Sequence, residues 1–243
     1  MQIELSREGV FPTAGDPRDF WAESGTIQGE GKLAGVASLF VRLQGCNLRC
    51  KWCDTKHTWG RAGNTVDTGE VVETIGRNIG KMRHVVITGG EPYMQARAVE
   101  ELVDRLHERG LHVTIETNGS IADRALTEKV DLLSISPKMS NSGASAEEVA
   151  ATARTVRETI GQRRGDVQLK FVVSEMADGD EIAKHYDAEE LGIERSDILV
   201  MPEGVTREAI GKKAVECVRV AVRHGWRYCA RLHIDIFGNK EGI

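Results

Sequence analysis

The chain has 243 residues, room for one large α/β domain or two small ones with an ample buried core. Hydrophobic residues make up 40% and charged residues 28%, as in ordinary globular proteins. A net charge of -5 gives no electrostatic reason to bind nucleic acid or an anionic membrane. The longest apolar run, around Ala37 to Val41, is far too short to span a bilayer, and the opening MQIELSREGV lacks a basic segment followed by an apolar core, so a cytoplasmic location is the expectation.

In chain order the predicted strands are Ser38–Leu43, His84–Thr88, His112–Glu116, Asp131–Ser136, Gln168–Val173, Ile198–Met201 and Arg227–Leu232. They are short and mostly continuously apolar, which suits parallel strands covered on both faces. Amphipathic stretches lie between them. Val71, Val72, Ile75 and Ile79 repeat at helical spacing, as do Val99, Leu102, Val103 and Leu106, and then Val215, Val218, Val222 and their neighbours. Asp67-Thr68 and Ser145 are suited to start helices, Gly110 to end one, and the stretch from Ala144 to Gly165 reads as a regular helix. Strand and helix alternating over about six units imply right-handed crossovers and an α/β fold, a parallel sheet rolled into a partial β/α barrel. Ligands are then expected at the carboxyl ends of the strands.

Five cysteines with no secretory signal argue for reduced thiols. Cys217 and Cys229 sit apart in apolar stretches and are expected in the core. Cys46, Cys50 and Cys53 follow the first predicted strand with C-x3-C-x2-C spacing. Such soft donors favour zinc or iron–sulfur. A 4Fe-4S cluster usually takes four cysteines; with three, one iron stays open to the amino and carboxylate groups of S-adenosylmethionine, which an electron from the cluster then cleaves to a radical. The alternative is a zinc-stabilised binding module built on the same three cysteines and His57.

The other strand ends carry their own motifs. Thr88-Gly89-Gly90-Glu91-Pro92 ends the second predicted strand, and its glycines allow close approach of backbone to ligand, with Glu91 a possible acceptor for an ammonium group. Glu116-Thr117-Asn118-Gly119, Ser136-Pro137-Lys138 and Met201-Pro202-Glu203-Gly204 end later ones. Each alone reads as a turn; together they point to a common pocket. Thr26-Ile27-Gln28-Gly29-Glu30-Gly31 and Phe40-Val41-Arg42 precede the cysteines, and Leu232-His233 and Phe237-Gly238-Asn239-Lys240-Glu241-Gly242 close the chain.

The cysteine spacing and the Gly-Gly-Glu-Pro motif resemble the radical S-adenosylmethionine (SAM) superfamily. With Cys53-Asp54-Thr55 and both chain ends, the set is similar to the 7-carboxy-7-deazaguanine synthase family. The similarity runs from about residue 20 onward, so residues 1–19 are expected to be an N-terminal extension and 20–243 a single core domain. The resemblance implies a radical SAM barrel and conversion of 6-carboxy-5,6,7,8-tetrahydropterin to 7-carboxy-7-deazaguanine with loss of ammonia, toward queuosine and other 7-deazapurines. It implies a 4Fe-4S cluster on Cys46, Cys50 and Cys53, and Mg2+ on Thr55. It assigns S-adenosylmethionine to Gly90, Glu91, Ser136, Pro137, Lys138, Met201, Pro202, Glu203 and Gly204, with Trp52 against the adenine. It assigns the pterin to Ile27, Gln28, Gly29, Glu30, Arg42, Thr88 and His233. Arg42 suits a carboxylate, which it can grip bidentately. A flavodoxin- or ferredoxin-type electron donor and a homodimer are implied as well.

Two departures stand out: Met201 replaces a glutamine of some relatives, and the terminal carboxylate that some members place on the substrate would here belong to Ile243. A glycyl-radical activating enzyme shares the cysteine spacing and a similar length, but the Gln28-Gly29-Glu30-Gly31 segment and the His233-to-Lys240 terminus argue against it.

Overall fold

Each continuously apolar run becomes a strand, because alternate side chains can be buried on opposite faces. The computed structural model describes residues 1–14, 24–60, 62–238 and 240; Ile243 lies outside them. Along the described chain, β1 (Gln2–Phe11), β2 (Thr26–Ile27), β3 (Ala37–Leu43) and β4 (Asn64–Asp67) precede the helix α1 (Thr68–Asn78). Then come β5 (His84–Gly89), α2 (Ala96–His107), β6 (His112–Thr117), α3 (Arg124–Thr127), β7 (Leu132–Ile135), α4 (Ala146–Gln162) and β8 (Asp166–Val173). The chain ends with α5 (Met176–His185), α6 (Ala188–Leu191), β9 (Ile198–Pro202), α7 (Arg207–His224), β10 (Arg227–Tyr228) and α8 (Leu232–Phe237). The strands form one sheet in the order β10-β9-β8-β7-β6-β5-β3-β1-β4, with β2 on β3. From β3 to β10 neighbouring strands are parallel, the partial barrel predicted.

The two faces of this sheet differ in chemistry. Leu39, Val41, Val85, Ile87, Val113, Ile115, Leu169 and Val200 share the main core with Val71, Leu102, Val149 and Val220 of the covering helices. Residues one step out of phase face the other way. In register, these are Arg42 beside Thr88, Glu116 beside Ser134, and Val172 beside Met201, and all of them except Ser134 line a cavity. Its open side is crossed by the strap between β2 and β3. There Gly31 N donates to Cys229 Sγ at 3.1 Å, Lys32 N to Gln168 Oε1 at 2.7 Å, and Lys32 Nζ pairs with Asp166 and Asp197, both at 2.7 Å.

The caps predicted for α1 and α4 are present: Asp67 accepts from Gly69 N, and Ser145 forms a capping box with Glu148. Three readings are corrected. The segment taken as an N-terminal extension contributes β1, which pairs antiparallel with both β3 and β4 and buries Ile3, Leu5 and Phe11. The run Arg227–Leu232 is extended only over Arg227–Tyr228. Past Cys229, Arg231 turns inward onto Glu30 and Asp54, Leu232 N donates to Gly29 O at 2.9 Å, and Leu232 starts α8. On α7 the core stripe is Ile210, Cys217, Val220 and Ala221, whereas Val215, Val218 and Val222 are exposed. That helix carries apolar residues on two faces, and spacing alone does not say which one meets the sheet.

Candidate active site

The cysteine loop starts where β3 ends. Gly45 N donates to Thr58 O at 2.8 Å, and Gln44 Nε2 donates to the carbonyls of His57 and Gly60. Arg49 ties the carbonyls of Cys46, Leu48 and Trp59 together. These bonds, with Gln44 N on Glu4 O of β1 and Lys51 N on Ser142 O, supply partners to a loop that lies outside the sheet ladder. Cys46, Cys50 and Cys53 are half-buried free thiols that line the cavity, and burial pushes the Cys46 and Cys50 thiols up. Cys217 and Cys229 are buried, as expected.

Glycine sets the seat for this loop. Gly89 has a φ of 131° and, like Gly90, abuts backbone: a Cβ on Gly89 would strike Leu43, and one on Gly90 the Gly45 carbonyl. With no side chains there, Gly90 N reaches Leu43 O at 3.0 Å and Glu91 N reaches Gly45 O at 2.8 Å. The ends of β3 and β5 are thereby joined directly under the first cysteine.

One wall of the cavity is built by Gly90, Ser136, Lys138, Met201, Glu203 and Gly204. Lys138 Nζ donates to Ser136 Oγ at 2.8 Å and sits 5.3 Å from the centre of the Trp52 ring. Burial lowers the Lys138 ammonium. Trp52 packs on Val172, Leu199, Met201 and Cys229, and Glu203 is paired with Lys213 of α7. Pro137 and Pro202 are buried and are not among the lining residues.

Glu91, expected to face an ammonium group, instead lies fully buried behind the wall. Its carboxylate accepts from Tyr93 N at 3.0 Å, Thr117 Oγ1 at 2.7 Å and Asn118 N at 2.7 Å. Those donors capture it and brace the end of β5 against that of β6. Burial still pushes its carboxyl up, against these hydrogen bonds.

Ile27, Gln28, Gly29, Glu30, Arg42, Thr88 and His233, the whole set assigned to the pterin, also line the cavity. Lys170, 4% exposed, joins two of its acids: its Nζ donates to Glu30 Oε2 at 2.9 Å and to Glu116 Oε1 at 3.1 Å. Glu116 also accepts from Thr88 Oγ1 at 2.9 Å and Gln28 Nε2 at 3.3 Å. Burial works against both acids, yet Lys170 and Arg231 hold the Glu30 carboxyl well below the usual carboxylate range, and Lys170 lowers Glu116. Burial likewise opposes the Lys170 cation, but the two acids raise it. Arg42 stacks 4.9 Å over the Phe11 ring, and its Nε lies 4.0 Å from buried Glu8. A Cβ on Gly29 would collide with His233, whose buried Nδ1 has no hydrogen-bond partner among the described residues.

This network makes an acid-side prediction. Carboxylates with depressed folded values stabilise the fold above about pH 4.5 and lose that contribution as pH falls through the folded values. Urea midpoints are therefore expected to decline below about pH 4.5, with a shallower decline in Glu30→Gln. An identical slope in the two proteins would remove Glu30 from the network's linkage.

Lys170, Glu116, Arg231 and Asp54 line the cavity but were not singled out as ligand residues in the sequence. A signal was present: Lys170 lies in mid-strand, where a buried charge needs partners, and Glu116 closes a strand at the ligand end of the sheet. Thr55 caps the short turn Lys56–Trp59, with its hydroxyl 3.7 Å from Cys53 Sγ.

The donor set suits a cluster with one open iron, since three thiols share one loop and the remaining cysteines are buried elsewhere. It does not suit the zinc alternative. His57, the fourth donor that alternative needs, has its Nε2 2.6 Å from Glu8 Oε1. Among the described residues, no helix is long and apolar enough to cross a membrane.

Comparison with known proteins agrees with this geometry. The model of the Radical SAM superfamily matches residues 40–213. The chain is 39% identical over 231 residues to the 7-carboxy-7-deazaguanine synthase of Halobacterium salinarum, covering 88% of each. It is 34% identical over 229 residues to that of Rhodopirellula baltica, covering 88% of this chain and 84% of the other. The crystal structure of QueE from Escherichia coli superposes with a TM-score of 0.67 at 25% identity, over 94% of this chain and 93% of that one. Three thiols on one loop, lining one cavity together with a set of buried polar side chains, in a chain matched by relatives along most of its length, place the protein in the radical SAM superfamily and, within it, in the 7-carboxy-7-deazaguanine synthase family.

Proposed function

We propose that the protein is a radical SAM lyase that converts 6-carboxy-5,6,7,8-tetrahydropterin to 7-carboxy-7-deazaguanine, releasing ammonia, in queuosine or another 7-deazapurine pathway. The observation that carries this reading is a single cavity lined both by the three thiols and by the Arg42, Thr88, Glu116, Lys170, Glu30 and His233 side chains.

In this reading Cys46, Cys50 and Cys53 would hold a 4Fe-4S cluster, and Gly90, Ser136, Lys138, Met201 and Gly204 would hold S-adenosylmethionine. Bound there, the pair supplies one-electron radical chemistry. The chain's own residues do the rest. Arg42 offers a guanidinium to the pterin carboxylate, and the Phe11 ring beneath it limits its rotation. Glu30 and Glu116 stay ionised because Lys170 neutralises them, so both can accept from the amide and amine edges of the ring. The unpartnered Nδ1 of His233 is available to the same ring. Ile27 and Gly29 shape the floor, and the strap excludes water from that side. Thr55 would present its hydroxyl to Mg2+, a hard cation that keeps few protein ligands and lets the substrate complete its shell. Glu91, Pro137 and Pro202 support the wall from behind. A flavodoxin- or ferredoxin-type electron donor, a homodimer and a cytoplasmic location belong to the same proposal.

Anaerobic turnover of the reduced holoenzyme with the carboxypterin tests it. Product absorbance is expected with no net consumption of S-adenosylmethionine, and magnesium is expected to raise the rate. Thr55→Ala should lose that magnesium response. Absence of product from brown, iron-loaded protein would overturn the substrate assignment, and an undiminished magnesium response in Thr55→Ala would overturn the metal site.

A further inference from the structure

Arg231, 8% exposed, follows β10 and precedes α8. Its side chain reaches three separate walls of the cavity. Nε donates to Glu30 Oε1 at 2.8 Å, Nη2 donates to Asp54 Oδ2 at 2.7 Å, and Nη1 donates to the Gly204 carbonyl. Glu30 belongs to the strap, which carries Ile27, Gln28 and Gly29 on the pterin side. Asp54 stands between Cys53 and Thr55 in the cysteine loop. Gly204 is in the turn after β9, with a φ of 150° and no room for a Cβ beside Ala209 and Ile210. The guanidinium is a rigid plane with N–H groups at fixed angles, so its three acceptors cannot move independently while all three bonds persist.

We propose that Arg231 is a positioning residue that fastens the strap, the cysteine loop and the turn after β9 to one another, so that pterin bound on the strap side tightens S-adenosylmethionine on the other. The proposal rests on the ligand assignment given above. Its physical content is shared ordering: a ligand that immobilises one wall spares the second ligand the cost of immobilising the next. By linkage the effect is reciprocal. Lysine in the same place keeps the charge facing Glu30 but is a point donor without the fork. Asp54 is 43% exposed at its side chain, so Asp54→Ala removes the acceptor and cuts the arm to the cysteine loop while Glu30 still pairs with the Arg231 charge.

Equilibrium dialysis of S-adenosylmethionine against anaerobically reconstituted, unreduced holoenzyme, with and without the carboxypterin, reads the coupling directly. In the unaltered protein the pterin is expected to tighten binding by about fivefold or more, the range of ordinary site-to-site coupling. In Arg231→Lys and Asp54→Ala that ratio should approach one, with iron content and circular dichroism unchanged; if Arg231→Lys does not fold, Asp54→Ala decides. A ratio retained in Asp54→Ala, or a ratio of one in the unaltered protein, overturns the clamp while leaving the substrate assignment standing. Failure of the unaltered holoenzyme to bind the pterin overturns the substrate assignment, and the clamp with it.

Discussion

Replacing Lys170 with methionine should lower the melting temperature on the order of 10 °C and abolish pterin turnover. The ammonium is 4% exposed and lies between Glu30 and Glu116. Removing one member of a buried charge group strands the others and costs about 3–5 kcal/mol. For a domain of this size each kcal/mol moves the midpoint roughly 2–4 °C. Adding Glu116→Gln to Lys170→Met should recover part of the loss, because the two sites share one interaction and their effects do not add. Scanning calorimetry of the two variants checks this. A double variant no more stable than the single one would mean that the acids are not held by Lys170.

Cys50→Ala is expected to come off an oxygen-free column colourless and inactive, whereas the unaltered protein is brown with about four iron and four sulfide per chain. The thiol is half-buried on a loop outside the main core, so the melting temperature of the iron-free protein should barely change. Cys217→Ala is the control. It opens a small cavity in the core under α7 and costs stability, yet it should retain full iron, since Cys217 is 0% exposed. Iron and sulfide assays decide the matter: full iron on Cys50→Ala would remove that thiol from the cluster, and loss of iron on Cys217→Ala would show that the metal is held elsewhere.

The parallel strands were legible because most are predominantly apolar runs, a composition that burial on both faces favours. The cavity was legible because the motifs all fall at strand ends. β1 was not. Its sequence, QIELSREGVF, places Ser6 and Glu8 at buried positions, where they satisfy each other at 2.5 Å and Glu8 pairs with His57. Such polar residues read as exposed until distant partners are known. Lys170 and Arg231 escaped for the same reason: their acids lie 54 to 201 residues away. The buried side of α7 was ambiguous because valines occupy both faces, and only the position of β9 selects one. Glu91 shows the reverse limit. Its motif was legible, but the side chain's direction is fixed by Thr117 and Asn118, contributed by another strand.

Leu5 pairs with Leu43 on one side and Asn64 on the other. Residues 44–63 thus leave and return beside a single residue of β1, a hoop that carries Cys46, Cys50 and Cys53. The first strand therefore acts as its clasp. Trimming these opening residues would let the feet part and enlarge the set of shapes the hoop can sample. Three donors that the clasp keeps on one closed loop would then be spread over a looser one, so on the proposed ligand assignment trimming the earliest part of the chain is expected to slow its charging with iron.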